Sequence, residues 1–247
     1  MRKMKTIISI EGKLALRCPD GVIFGICMPI GILLLIGIIA GDKVIQGPVP
    51  MTFLDSAFAA LTTVGICASA FMGIPINLAD YRDKKILKHF YVTPSSPLLL
   101  VYGNIIIGAL TAIVSALGIS IVAVVFFGYR MNGNIFLFIL GYFIVMVSMY
   151  SLGMLIASLC RTIKSANIVC SIVYFPMLLL SGATIPYELF PKGMQMVANI
   201  FPLTQGIKIL KVLSTSGTIN ELILPIVYLL ILSIVCVVIS VKTFRWE

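Results

Sequence analysis

Six apolar blocks, nearly free of charge, divide this chain at residues 22–40, 56–79, 97–128, 131–160, 165–185 and 222–241. A helix needs roughly 20 mostly apolar residues to cross the hydrocarbon core of a bilayer, and each block is about that long or longer. The sixth block follows a proline-punctuated amphipathic stretch instead of a short polar loop. A water-soluble core of 247 residues has no room for so much apolar surface, since 60% of the residues are hydrophobic and only 11% charged. The pattern predicts an all-α integral membrane protein with six spans and both termini on one side.

The basic residues set the expected orientation. Arg2, Lys3, Lys5, Lys13, Arg17, Arg82, Lys84, Lys85, Lys88, Arg161, Lys164, Lys242 and Arg245 fall on one side of such a topology. Lys43, Arg130, Lys192, Lys208 and Lys211 fall on the other, three of them in the longest connection, where charge counts least. The richer side is expected to be cytoplasmic, in a bacterial plasma membrane. The net charge of +9 is then explained by topology and anionic headgroups, and nucleic acid is not an expected partner. No cleavable leader is expected, because the first block lacks a small-residue cleavage site. The six cysteines show no C-x-x-C spacing and fall mostly in apolar blocks, so neither a disulfide nor a metal site is expected.

Three segments outside the spans carry the functional signal. Residues 1–19 place Ile7, Ile10 and Leu14 at i, i+3, i+7 with Lys5 and Lys13 off that line, which reads as a helix lying along the inner leaflet. A plain basic topogenic tail is the alternative. Residues 80–97 place Ile86, Leu87, Phe90 and Tyr91 on one stripe among Arg82, Lys84, Lys85 and Lys88, and Thr93-Pro94 and Pro97 end the run. A short amphipathic helix of this kind suits a groove on a soluble partner; a solvated positive loop is the alternative. Residues 182–216 place Met194, Val197, Ala198 and Phe201, then Leu203, Ile207 and Leu210, on apolar lines broken at Pro202, with Lys208 and Lys211 turned away. Two short helices half-buried at the outer leaflet, or dipping in and returning, fit that pattern. Irregular backbone at such depth needs protein or water around it.

The run Ser181-Gly182-Ala183-Thr184-Ile185-Pro186-Tyr187-Glu188-Leu189-Phe190-Pro191, followed by Ile200-Phe201-Pro202-Leu203-Thr204, resembles the external signature of type-2 ABC exporter membrane subunits, the group that includes daunorubicin-resistance permeases. Tyr81-Arg82-Asp83-Lys84-Lys85 through Val92-Thr93-Pro94 is similar to the first intracellular loop of that family. The resemblance extends over the whole chain, as one transmembrane domain spanning 1–247. Two positions depart from it: Lys85 stands where the family often has glycine, and Tyr81 where a glutamate is common.

That resemblance implies a division of labour. The chain has no G-x-x-x-x-G-K-[ST] phosphate loop, and its only Gly-Lys pair, Gly12-Lys13, runs into Leu14. It binds no cofactor of its own on this reading; ATP and Mg belong to a separate nucleotide-binding ATPase subunit. A second permease, either another copy or a related chain, completes the unit. Tyr81, Arg82, Asp83, Lys84, Lys85, Leu87, Phe90, Thr93 and Pro94 are implied to couple to the ATPase. Phe71, Met72, Ile76, Tyr174, Phe175, Met177 and Leu178, on the second and fifth spans, are implied to line the substrate pathway at the seam between permeases. Pro186, Glu188, Pro191 and Pro202 are expected to form the external gate. Pro176, midway along the fifth span, is read as a kink or a static bend.

Other function classes fit less well. An ion-coupled secondary transporter is expected to carry ionisable groups mid-membrane, and here the polar residues within the blocks are Asn77, Asn104 and Asn167. An intramembrane enzyme needs an acid, base or metal cluster, and the single histidine, His89, has no carboxylate motif beside it. A membrane immunity protein that sequesters a toxin without transport remains an alternative. The expected cargo is lipophilic or amphipathic: a drug, an antimicrobial peptide or a lipid-linked molecule, because aromatic residues and methionine repack around varied apolar shapes.

Overall fold

The computed structural model describes residues 2–17, 23–40, 44–45, 51–86, 98–215 and 222–243. It begins with α1 (Arg2–Arg17) and α2 (residues 23–40), the latter a π-helical turn, Ile23–Cys27, that runs into Met28–Ala40. A two-residue antiparallel bridge, β1 (Val44–Ile45) with β2 (Met51–Thr52), leads into α3 (Phe53–Asp83). Then come α4 (Leu98–Phe127), α5 (Ile135–Leu159), α6 (Ile163–Leu180), the short α7 (Lys192–Ala198), α8 (Pro202–Ser214) and α9 (Ile223–Thr243).

Five of these, α3, α4, α5, α6 and α9, are long and apolar enough to cross a membrane. The α7–α8 pair makes a sixth if its 100° bend is counted as a break within one span. The apolar part of α2, Gly25–Ala40, is shorter than the others. The chain is an integral membrane protein. Its outward surfaces follow helical spacing, as on α4, where Leu110, Val114, Leu117, Ile121 and Val124 are all exposed.

α3 differs, for it is buried on nearly every side. Small residues let its neighbours come close: a Cβ on Gly153 of α5 would sit 2.5 Å from the Ala70 carbonyl oxygen, and one on Gly65 would sit 2.7 Å from Ser115 Oγ of α4. A π-helical turn, Ser69–Gly73, lies midway. There Ser69 Oγ donates to the Ile66 carbonyl at 2.9 Å, so the 2.7 Å contact between Ser69 and Tyr150 is donated by the tyrosine.

Caps explain where the helices depart from the apolar blocks. α3 starts at Phe53, before the block at 56, because Asp55 N donates to Thr52 Oγ1 at 3.1 Å and Thr52 N donates to Asp55 Oδ2 at 2.8 Å. α5 starts at Ile135 because Asn134 Oδ1 accepts from Phe136 N at 2.9 Å. α6 starts at Ile163 behind a Thr162–Ser165 capping box and stops at Leu180, well before residue 185. Beyond it, Gly182 adopts a φ of +87°, a left-handed conformation that L side chains rarely take. Pro176 lies within α6 without ending it.

Candidate functional site

Two ends of the bundle concentrate its polar chemistry. The near end gathers α1, the last turn of α3 and the α5–α6 turn. The far end gathers the start of α3, the segment 181–191 and the α7–α8 elbow.

At the near end α3 does not stop at the apolar boundary near 79 but continues to Asp83. Tyr81, Arg82 and Asp83, expected on a connection, are instead the end of a membrane helix, and each has a partner inside the chain. Tyr81 donates from its hydroxyl to Glu11 Oε1 and Oε2, both at 2.7 Å. Arg82 Nη1 donates to the carbonyls of Ala157 and Cys160, the latter at 2.6 Å, where α5 leaves its last carbonyls without intrahelical donors. Asp83 Oδ2 accepts from Ile163 N at 3.0 Å, at the start of α6. One turn of α3 thus caps the end of one neighbour and the beginning of the next. Lys84 is exposed and pairs with Asp80 at 2.8 Å. Lys85 is exposed with a φ of 55°. Leu87, Phe90, Thr93 and Pro94 lie outside the described residues.

Glu11 was not singled out by the sequence pattern. The stripe Ile7, Ile10, Leu14 reads as the face of a helix lying along the inner leaflet; in the chain Ile10 and Leu14 are exposed, while Glu11 is only 5% exposed. α1 lies against α4, with Ile7 and Glu11 fitted over Gly103, where a Cβ would stand 2.8 Å from Ile7 Cγ2. Burial pushes the Glu11 carboxyl above its ordinary value of 4.5, and the Tyr81 hydrogen bond opposes that shift. A lone acid within a basic helix was the available signal. One layer deeper, Asn77 Nδ2 donates to Asn104 Oδ1 at 3.1 Å and joins α3 to α4.

At the far end the prolines punctuate as the spacing predicts. Pro186 precedes a 3-10 turn (Tyr187–Leu189), Pro191 precedes α7, and Pro202 opens α8, where its missing N–H costs nothing. Asn199 holds the elbow: its Oδ1 accepts from Tyr187 Oη at 3.0 Å and from Lys208 Nζ at 2.6 Å, and its carbonyl accepts from Gln205 Nε2 at 2.6 Å. Lys208 Nζ also lies 4.3 Å from the centre of the Tyr187 ring. The Glu188 side chain lies outside the described residues. Lys211, expected to turn away from the apolar face, is buried, because Nζ donates to Ser56 Oγ at 2.9 Å and the first turns of α3 surround it. Gly133 N donates to the Ser214 carbonyl at 3.0 Å, which ties the α4–α5 connection to the end of α8.

The model of the ABC-2 type transporter family matches residues 2–214, so it takes in α1, the near end and the whole α7–α8 elbow. The chain belongs to that family. It is similar to the inner membrane transport permease YhhJ of Escherichia coli strain K12, 23% identical over 145 residues. It is also similar to the probable multidrug ABC transporter permease YbhR of the same strain, 26% identical over 150 residues. These matches take in 58% and 61% of this chain but only 39% and 40% of the relatives' own lengths. No solved structure matches.

Within this ABC-2 transporter chain, the expected pathway residues divide into two groups. Phe71, Tyr174, Met177 and Leu178 are packed in the core of the single chain, where α3 and α6 meet. Met72 and Ile76 are half-buried, and Phe175 is exposed on the outward side of α6. Only the second group has surface to offer a cargo or another chain. Sequence periodicity could not separate these faces, because the expected pathway residues on both sides of α3 and α6 are alike apolar or aromatic.

Proposed function

We propose that this chain is the membrane permease of an ATP-driven exporter in a bacterial inner membrane, with its termini cytoplasmic. It works with a separate ATPase subunit, which holds ATP and Mg, and with a second permease, itself or a related chain. The cargo is lipophilic or amphipathic: a drug, an antimicrobial peptide or a lipid-linked molecule. The printed role of the relative YbhR, multidrug transport, supports that class.

The observation that carries this reading is that α3 is bonded at both ends. At the near end it holds α1 through Glu11 and the α5–α6 turn through Arg82 and Asp83. At the far end it holds α8 through Ser56 and Lys211. Force applied by an ATPase to residues 80–97 reaches α1, α5 and α6 together, and a shift along α3 reaches the elbow. Transport on this account is a two-state repacking biased by nucleotide. The Asn199, Tyr187 and Lys208 contacts hold the external gate around Pro186, Glu188, Pro191 and Pro202 in one of those states.

The test is purification from native membranes in mild detergent, followed by identification of the ATPase that accompanies the chain. Leu87→Asp with Phe90→Asp should remove that ATPase while membrane insertion persists. Stimulation of its activity by one class of lipophilic compound would name the cargo. A stable preparation that carries no ATPase would overturn the exporter reading in favour of a sequestering protein.

A further inference from the structure

A cleft of about 190 Å³ opens at the far end between α2, the start of α3 and the turn after α6. Its walls are Leu35, Ile39, Phe53 and Ala57 with Ala183 and Pro186. Leu35 and Ile39 are well exposed at its mouth, so in a membrane it faces the chains of the bilayer. Apolar cavities of this order stay dry and take up apolar guests, because a water needs two to four polar partners.

Ser56 supplies the polar atom within the cleft that needs explaining. It is 3% exposed and lines the cleft, and its Oγ accepts from Lys211 Nζ at 2.9 Å. Several hydroxyls within the bundle return their hydrogen to the carbonyl one turn earlier, Thr62 to Phe58, Thr63 to Ala59, Ser151 to Val147 and Ser233 to Leu229, while Ser115, Ser148 and Thr204 have no partner among the described residues. Ser56 makes no such bond; among the described residues its hydroxyl accepts from Lys211 and donates to nothing. A hydroxyl that accepts from a lysine nitrogen is a strengthened donor, since hydrogen bonds in series polarise one another. A buried donor without an acceptor is costly, so the cleft favours a guest that brings an acceptor oxygen and otherwise only hydrocarbon.

We propose that this cleft binds one acyl chain of an ester-linked membrane phospholipid, with Ser56 Oγ donating to the ester carbonyl oxygen and the chain lying along Leu35, Ile39 and Phe53. A lipid seated there would pack α2 against the turn that leads to the elbow. The proposal does not depend on which cargo the chain moves or on whether it moves any.

The test uses the full chain in phosphatidylethanolamine vesicles with a trace of phosphatidylglycerol bearing a diazirine partway along one acyl chain. After irradiation, labelled positions are mapped by mass spectrometry. Label should concentrate in 35–40, 53–57 and 182–186, above the level on the exposed Ile231 and Ile234 of α9. Thr184→Trp and Ala40→Trp, at exposed and half-buried positions of the rim, should abolish that excess while the protein elutes as wild type. Ser56→Ala should lower it by roughly three- to tenfold, the worth of one net hydrogen bond. An ether-linked probe, which lacks the carbonyl, should label wild type at that lower level and be indifferent to Ser56→Ala. Label in the cleft no greater than on α9, or unchanged by Thr184→Trp, would overturn the site. Equal labelling by ester and ether probes would overturn the role of Ser56.

Discussion

Tyr81 donates to both carboxyl oxygens of Glu11 at 2.7 Å, across 70 positions of sequence. That contact joins a helix outside the spans to the most buried span of the bundle, and it has a definite pH dependence. Burial raises the folded-state pKa of Glu11 above 4.5, so the folded chain holds a proton that the unfolded chain has released. The contribution of this group to stability is therefore greatest below 4.5 and declines as pH rises through the raised value. Thermal unfolding in detergent across that range should show the decline, and Glu11→Gln should flatten it. Tyr81→Phe should cost about 1–3 kcal/mol by leaving a buried carboxyl without its donor, and should move the decline to higher pH.

Lys85 has a φ of 55°, a region costing an L residue about 1–2 kcal/mol. Lys85→Gly should raise the unfolding temperature by an amount worth about 1 kcal/mol. Lys85→Ala keeps a Cβ and should show no such gain, which separates backbone relief from loss of charge.

Arg82 and Asp83 cap the α5–α6 turn from outside it. Arg82→Ala removes donors from the carbonyls of Ala157 and Cys160 and should cost about 1.5–3 kcal/mol. Asp83→Ala, which loses one acceptor at the start of α6, should cost about 1 kcal/mol. Amide hydrogen exchange should localise both effects to residues 157–165.

A Cβ on Gly133 would stand 1.8 Å from the Leu213 carbonyl oxygen, a backbone atom that cannot rotate away. Gly133→Ala should therefore break the Gly133–Ser214 hydrogen bond and cost at least about 3 kcal/mol. Protease sensitivity of the 128–134 connection should rise with it. Gly193→Ala, where nothing lies within 4 Å, is the control and should be silent.

Five of the six apolar blocks made spans legible, because length in hydrocarbon leaves few alternatives, whereas the first, at 22–40, forms a helix shorter than the others. The break at Pro202 was legible for a similar reason: proline admits few backbone conformations. The end of α3 was not. Asp80-Tyr81-Arg82-Asp83 reads as a solvated loop until Glu11, Cys160 and Ile163 are brought beside it, and those partners lie 70 to 80 positions away. Lys211 misled for the same reason, since its acceptor Ser56 lies 155 positions earlier. The split of the pathway residues between core and surface had no sequence signal, because buried and exposed members of the group are alike apolar or aromatic.

The all-round burial of α3 also bears on how the protein is made. α3 enters the bilayer before α4, α5, α6 and α8 have been synthesised, and so waits with lipid on faces that later become core. Its inner hydroxyls suit that wait: Thr62, Thr63 and Ser69 donate to carbonyls of their own helix and carry no orphan donor into the hydrocarbon. Ser56 is the exception, and its partner on α8 arrives only after 155 more residues. The Ser56–Lys211 bond is therefore among the last to close during biogenesis, and its formation marks a nascent chain that has acquired its far end.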